Sequence, residues 1–234
     1  MPDPVKTNGM TSAAAALQML ERRQQVLANN LANVSTRGFK AETPFARMMG
    51  NALATTDTAL NQAQGNLTQT HNPLDLAVDG NGFFVVQTPS GDRFLRNGTF
   101  ALDADRRLVD EQGNPVLGEG GPITLPQGNI EIDATGLVKV NGKPQQRLKL
   151  ETVKDASKLQ HEGGTRFVPD ATRTSVPAEQ RTIKQGFVEE SNVNAMTAMT
   201  DMLSVLQRYG AAQKTLSTID SVRGIAVTDL AKPV

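Results

Sequence analysis

No glycine or proline interrupts the chain between Met10 and Thr36, and along that stretch Ala13, Leu17, Leu20, Gln24, Leu27, Leu31 and Val34 recur at alternating steps of four and three. A heptad seam on a run rich in Ala, Leu, Gln, Glu and Arg specifies an amphipathic helix. Gly38, just beyond the last periodic residue, is its expected stop. The spacing returns at the far end through Ala195, Met199, Met202, Leu206, Tyr209, Ala212, Leu216, Ile219 and Val222, with Gly224 as the expected end. Ahead of this second helix, the stretch Glu190-Ser191-Asn192-Val193-Asn194 offers several capping oxygens, and Glu189 and Glu190 are placed to favour the positive end of its dipole. Isolated helices of this kind are marginal in water, so the two seams need each other or another subunit.

Between the helices the texture changes. From about Asn72 to Phe187, glycine and proline punctuate short β-branched and aromatic runs. Expected strands are Phe83 to Gln87, Arg93 to Arg96, Arg107 to Val109, Ile123 to Leu125, Ile130 to Ile132, Leu137 to Val140 and Arg147 to Val153. Turn signals separate them, among them Asp79-Gly80-Asn81-Gly82, Asn97-Gly98 and Asn141-Gly142. Short strands at this spacing read as an antiparallel sandwich or barrel-like domain. Residues 41–70 have weak periodicity and read as an extended or partly helical connector. The fold class expected is therefore α+β, with a helical coiled-coil unit from residues 1–38 and 188–234, a connector over 39–71 and a β-rich outer domain over 72–187.

Chemistry is sparse. Twenty-four basic residues balance 24 acidic ones, so neither nucleic acid nor an anionic membrane surface is expected as a partner. Without cysteine there are no disulfides, thiolate nucleophiles or thiolate metal ligands. No run of apolar residues reaches the length of a membrane span, and residues 1–9 lack the pattern of a cleaved secretory signal. Asp79-Gly80-Asn81-Gly82 and Asp103-Ala104-Asp105 fail as calcium loops: with Asp103 as the first position, the twelfth is Asn114, where a bidentate glutamate is needed. Gly80-Asn81-Gly82 opens a strand rather than a helix, against the dinucleotide pattern. His71 and His161 have no nearby nucleophile signature and read as surface histidines. Met196, Met199 and Met202 on one helix face suit either an adaptable binding surface or a buried seam, and the two coincide if the seam lies between subunits. No cofactor, metal or catalytic residue is expected.

The segment from Ala28 through Asn29-Asn30-Leu31-Ala32-Asn33-Val34-Ser35-Thr36-Arg37-Gly38-Phe39-Lys40 resembles the N-terminal signature of the flagellar rod and hook axial protein family. Three further stretches agree in order: Asn72 to Val86, Leu95-Arg96-Asn97-Gly98-Thr99-Phe100, and Gln185-Gly186-Phe187-Val188-Glu189-Glu190-Ser191-Asn192-Val193-Asn194. Gln207-Arg208-Tyr209 adds the family's helix pattern, and the likeness extends from about Gly9 to Val222. Ser35 to Glu42, Gly120 to Pro126 and Arg147-Leu148-Lys149-Leu150 look more like the proximal than the distal rod class, although Lys6 to Met10 replace the tyrosine usual in the first turn.

The resemblance implies a structural, non-enzymatic subunit of the basal-body rod in the periplasmic space, stacked helically to carry torque from motor to hook. Its partners would be further copies of itself, other proximal and distal rod proteins, and the flagellar type III export apparatus, which takes chains without a cleaved signal. A distal rod or hook-like subunit is the alternative, and a wall-cleaving hydrolase travelling with the rod a more remote one. Subunit packing would fall to Leu17, Leu20, Leu27 and Leu31 on the first helix and to Met199, Met202, Leu206, Tyr209 and Leu216 on the second. Asn29, Asn30 and Asn33 would bond backbone groups of neighbours. Gly38 and Phe39 would end the helix and pin the connector, while Ser191, Asn192, Val193 and Asn194 would cap and orient the last helix.

Overall fold

A computed structural model describes residues 9–47, 55–163 and 165–230. The ends of the expected helical unit, 1–8 and 231–234, the stretch without a signal pattern up to Asn8, and connector residues 48–54 lie outside the described residues. The fold is α+β: helix α1 (Gly9–Ala32), helix α2 (Ala195–Leu230) and antiparallel sheets in the chain between them.

The chain divides into two compact units, one of residues 1–32, 42–58 and 194–234, the other of 33–41 and 59–193. The stretch read as a connector is thus shared between them, and it is extended: strands Glu42–Arg47, Thr55–Leu60 and Leu67–Gln69 occupy it. In the first unit α1 packs against α2 and against Glu42–Arg47. Val26, Leu27 and Asn30 are buried on α1, Ala198 and Val205 on α2.

Both helix ends depart from expectation. The first helix stops at Ala32, six residues before Gly38, because Asn33-Val34-Ser35-Thr36 turns on its own bonds. Thr36 N–H donates to the Asn33 carbonyl at 3.1 Å and the Thr36 hydroxyl to Asn33 Oδ1 at 3.1 Å. Short polar side chains of this type compete with the helix for backbone groups. The second helix continues through Gly224 to Leu230. A glycine inside a helix costs only about 1 kcal/mol relative to alanine, so it does not by itself end one.

In the second unit the largest sheet has six antiparallel strands in the order Gln160–His161, Arg166–Val168, Gly91–Leu95, Phe83–Thr88, Leu150–Thr152, Thr174–Ser175. Strand Phe83–Thr88 is central and apolar on both sides. Phe84 and Val86 enter one core with Leu76, Phe100, Leu108, Ile123, Leu125, Val138, Leu148 and Leu150. Phe83 and Val85 enter a second with Leu60, Phe94, Leu117 and Phe167. Successive side chains point to opposite faces, so an uninterrupted apolar run is what a strand covered on both faces requires. Each such side chain contributes about 1.5–3 kcal/mol by leaving water.

Strands Ile130–Ile132 and Leu137–Val140 lie where the residues place them, and Asn141-Gly142 makes the tight turn into Lys143–Arg147, both residues at positive φ. Two expected strands are not continuous. Ile123 to Leu125 forms a single bridge, Thr124 to Arg107, with Ile123 and Leu125 both buried. Arg147 to Val153 breaks at Leu148 and Lys149, whose backbone N–H groups turn to Gly136 and Leu117.

Candidate functional site

On α2, Met202, Tyr209, Ala212, Leu216 and Ile219 are half-buried and align with buried Ala198 and Val205. That face is turned to α1, since the Tyr209 hydroxyl donates to Glu21 Oε1 at 2.9 Å. The bond to Glu21 holds the phenol's pKa above its ordinary value. A second stripe follows Met196, Met199, Leu203 and Leu206, which are 75, 49, 62 and 44% exposed. Their steps of three, four and three place them on one face, roughly 130° around the helix from the buried set. Phe45, on the strand Glu42–Arg47 of the same unit, is also exposed.

The second unit carries a buried charge cluster. Glu189 closes the strand Phe187–Glu189, which pairs with Leu67–Gln69, and is 1% exposed. Its Oε1 accepts from Lys40 Nζ at 2.7 Å and from Gly65 N–H at 3.0 Å, and its Oε2 accepts from Arg96 Nε. Arg96 also donates to the carbonyls of Val78 at 2.9 Å, Gly80 at 2.8 Å and Gly82. Lys40 donates to the Ala63 carbonyl at 2.8 Å. Burial lowers the Lys40 pKa, and the neighbouring Glu189 only partly offsets it. Glu189 therefore does not serve the dipole of α2 as its sequence position suggested: it is consumed by two cations that would otherwise be buried unpaired.

His71 is exposed with φ +62°, just ahead of the turn closed by the bond from Asp75 N–H to the Asn72 carbonyl. His161 is half-buried rather than a free surface ring, its centroid 5.5 Å from Phe39 and 4.5 Å from Phe167. Among the described residues no helix is long and apolar enough to cross a membrane.

Three family descriptions match the chain in order: "Flagella basal body rod protein" over residues 10–40, "Flagellar hook protein FlgE/F/G D1 domain" over 77–140 and "Flagellar basal body rod FlgEFG protein C-terminal" over 184–228. The flagellar basal-body rod protein FlgF of Escherichia coli is 33% identical over 240 residues, spanning 92% of this chain and 95% of that one. The same protein of Mesorhizobium japonicum is 33% identical over 84% of this chain and 87% of its own. The chain belongs to the FlgF family of flagellar basal-body rod proteins. As such it is a structural subunit of the rod. The rod protein FlgG of Buchnera aphidicola (subsp. Schizaphis graminum) is similar at 28% identity over 84% of this chain.

The residues singled out in this rod protein fall into distinct settings. Leu27 is buried, and Leu17, Leu20 and Leu31 half-buried, on α1. Met202, Tyr209 and Leu216 face α1, whereas Met199 and Leu206 belong to the exposed stripe. Asn29 is exposed and Asn33 sits in the turn after α1. Asn30 is engaged within its own chain, its amide donating to the Glu42 carbonyl at 2.8 Å and accepting from Glu42 N–H at 2.9 Å. Asn194 caps α2, its Oδ1 accepting from Thr197 N–H at 3.0 Å. Ser191 accepts from Val193 N–H. Asn192 does not cap: it accepts from Ala41 N–H and donates to the carbonyls of Asn61 and Ala63, tying two loops of its unit.

Gly38 lies in the second unit, where φ is +69° and its N–H donates to the Glu189 carbonyl at 2.7 Å. A Cβ there would stand 2.3 Å from Asn97 N, so glycine is needed for close approach and not for ending the helix. Phe39, 1% exposed, is pinned against His161. Lys40, Arg96 and Glu189 were missed as a group, although each stands in one of the stretches that carry the family resemblance.

Proposed function

We propose that this chain is a proximal rod subunit that polymerises helically, its terminal helices packing as a coiled coil with those of neighbouring rod proteins and its β unit outermost. One observation carries the reading. Met196, Met199, Leu203 and Leu206 present a continuous apolar stripe on α2, on a face other than the one turned to α1. Large exposed apolar side chains aligned along a helix mark an interaction surface. One helix can then serve two seams, one within the subunit and one between subunits. The mainly antiparallel β unit, with its two cores divided by the strand Phe83–Thr88, fits a sandwich- or barrel-like outer domain.

The proximal position is favoured over a distal or hook-like one because the FlgF relatives are 30–34% identical and the FlgG relatives 28–30%. The role is non-enzymatic: torque passes through packed subunits from motor to hook within the periplasm. Delivery falls to the flagellar type III export apparatus. The test is the pair Leu27→Asp with Leu31→Asp in the native gene. Loss of rod assembly and motility is expected, and normal swimming would refute the packed-seam reading.

A further inference from the structure

Beside the Glu189 cluster the second unit holds a cavity of about 120 Å³. Leu60, Phe83 and Phe167 form apolar wall, Lys40 and Arg96 line it from inside, and exposed Lys154 lines it as well. No aspartate or glutamate is among its lining residues. Lys40 and Arg96 share a single carboxylate, that of Glu189, so this buried cluster carries one positive charge in excess. Lys40 Nζ has three N–H groups, of which Ala63 and Glu189 take two. Burial accordingly lowers the lysine's pKa.

We propose that this cavity is a binding site for one carboxylate carried on a short apolar stem. The charge would meet the free N–H of Lys40 and the field of Arg96 and Lys154, and the stem would lie against Phe83 and Phe167. The space is close to the ~150 Å³ that accepts benzene in an apolar cavity, so a group of about six heavy atoms fits. A short fatty acid in solution and a glutamate side chain of a neighbouring copy share this chemistry. The site is independent of the helix stripe and stands or falls without it.

The experiment is a titration of the ¹⁵N-labelled full chain at neutral pH with butyrate and, in parallel, with the neutral isostere butyramide. Butyrate should move the amides of Gly80, Asn81 and Gly82 saturably, binding at least about tenfold more tightly than butyramide, the difference one charge-assisted hydrogen bond provides. Lys154→Ala should weaken butyrate, and Ala156→Leu, whose added bulk enters the cavity, should abolish it. Lys40→Met is the more direct variant, and should it fail to fold, Ala156→Leu decides. Shifts of the same amides that grow as the protein is concentrated without butyrate, with an apparent butyrate affinity that weakens as protein concentration rises, would assign the carboxylate to a second copy; their constancy would assign it to a free ligand. Equal binding of butyrate and butyramide, no saturable shift, or binding unchanged by Ala156→Leu would overturn the proposal.

Discussion

Glu189 and Lys40 stand 149 residues apart in the chain and 2.7 Å apart in the fold, both buried. With Arg96 on the other carboxylate oxygen, Glu189 binds together the residues after α1, the end of the strand Gly91–Leu95 and the last strand before α2. All three segments must settle together, because a partial cluster leaves charge buried without a partner.

Glu189→Gln should therefore destabilise the second unit by about 3–5 kcal/mol, since it leaves two buried cations without their counter-charge. Urea unfolding followed by a signal from that unit checks this. A change below about 1 kcal/mol, the range of exposed ion pairs, would mean that water reaches the cluster.

Close backbone approach gives a second expectation. A Cβ on Gly98 would lie 1.6 Å from the Leu76 carbonyl oxygen, which the backbone cannot yield without breaking the bond from Leu76 N–H to the Gly98 carbonyl. Gly98→Ala should cost about 3 kcal/mol or more. Gly113→Ala, with φ +82° but open space around it, should cost only about 1–2 kcal/mol. Thermal melts of the two variants, compared directly, separate steric clash from backbone strain.

Acid should remove part of the stability through Asp133. Burial opposes its charge, but bonds from the Thr135 hydroxyl, the Leu137 and Thr135 N–H groups and Lys139 outweigh it and hold its pKa below the ordinary carboxylate value. A depressed folded-state pKa adds stability that is complete above the unfolded-state pKa and is lost as pH falls through the folded-state value. Asp133→Asn should be less stable than the natural chain at neutral pH, and the gap should close as the buffer is acidified below the ordinary carboxylate range. Denaturation midpoints across that range give the answer, and a gap that stays constant with pH would exclude the carboxylate as its source.

Much of this arrangement was legible in the residues, and what was not has physical causes. The helices announce themselves through Leu17, Leu20 and Leu27 and through Met202, Tyr209 and Leu216, and Asn141-Gly142 announces its turn. The choice of face on α2 was hidden, because Met199 and Leu206 fit a heptad as well as Ala198 and Val205 do, and small Ala198 carries little signal. Helix ends were misjudged where Asn33 and Thr36 formed their own turn before Gly38 was reached. The charge cluster could not be read at all: pairing across 93 and 149 residues leaves no local pattern, and the adjacent Glu189 and Glu190 look like helix-start acids. The one available hint was that Lys40 and Arg96 interrupt otherwise apolar or glycine-rich stretches.

On the proposed function, the exposed stripe of α2 joins subunits rather than holding one subunit together. Met199→Glu with Leu203→Glu places two charges on that stripe while leaving Ala198, Val205 and Tyr209 in place. The most direct measurement is the recovery of the double variant in basal bodies isolated from cells that carry it as their sole copy, alongside the melting curve of the purified protein. An unchanged melting curve is expected, with no variant in the rod and no swimming. Full incorporation and normal motility would contradict this reading.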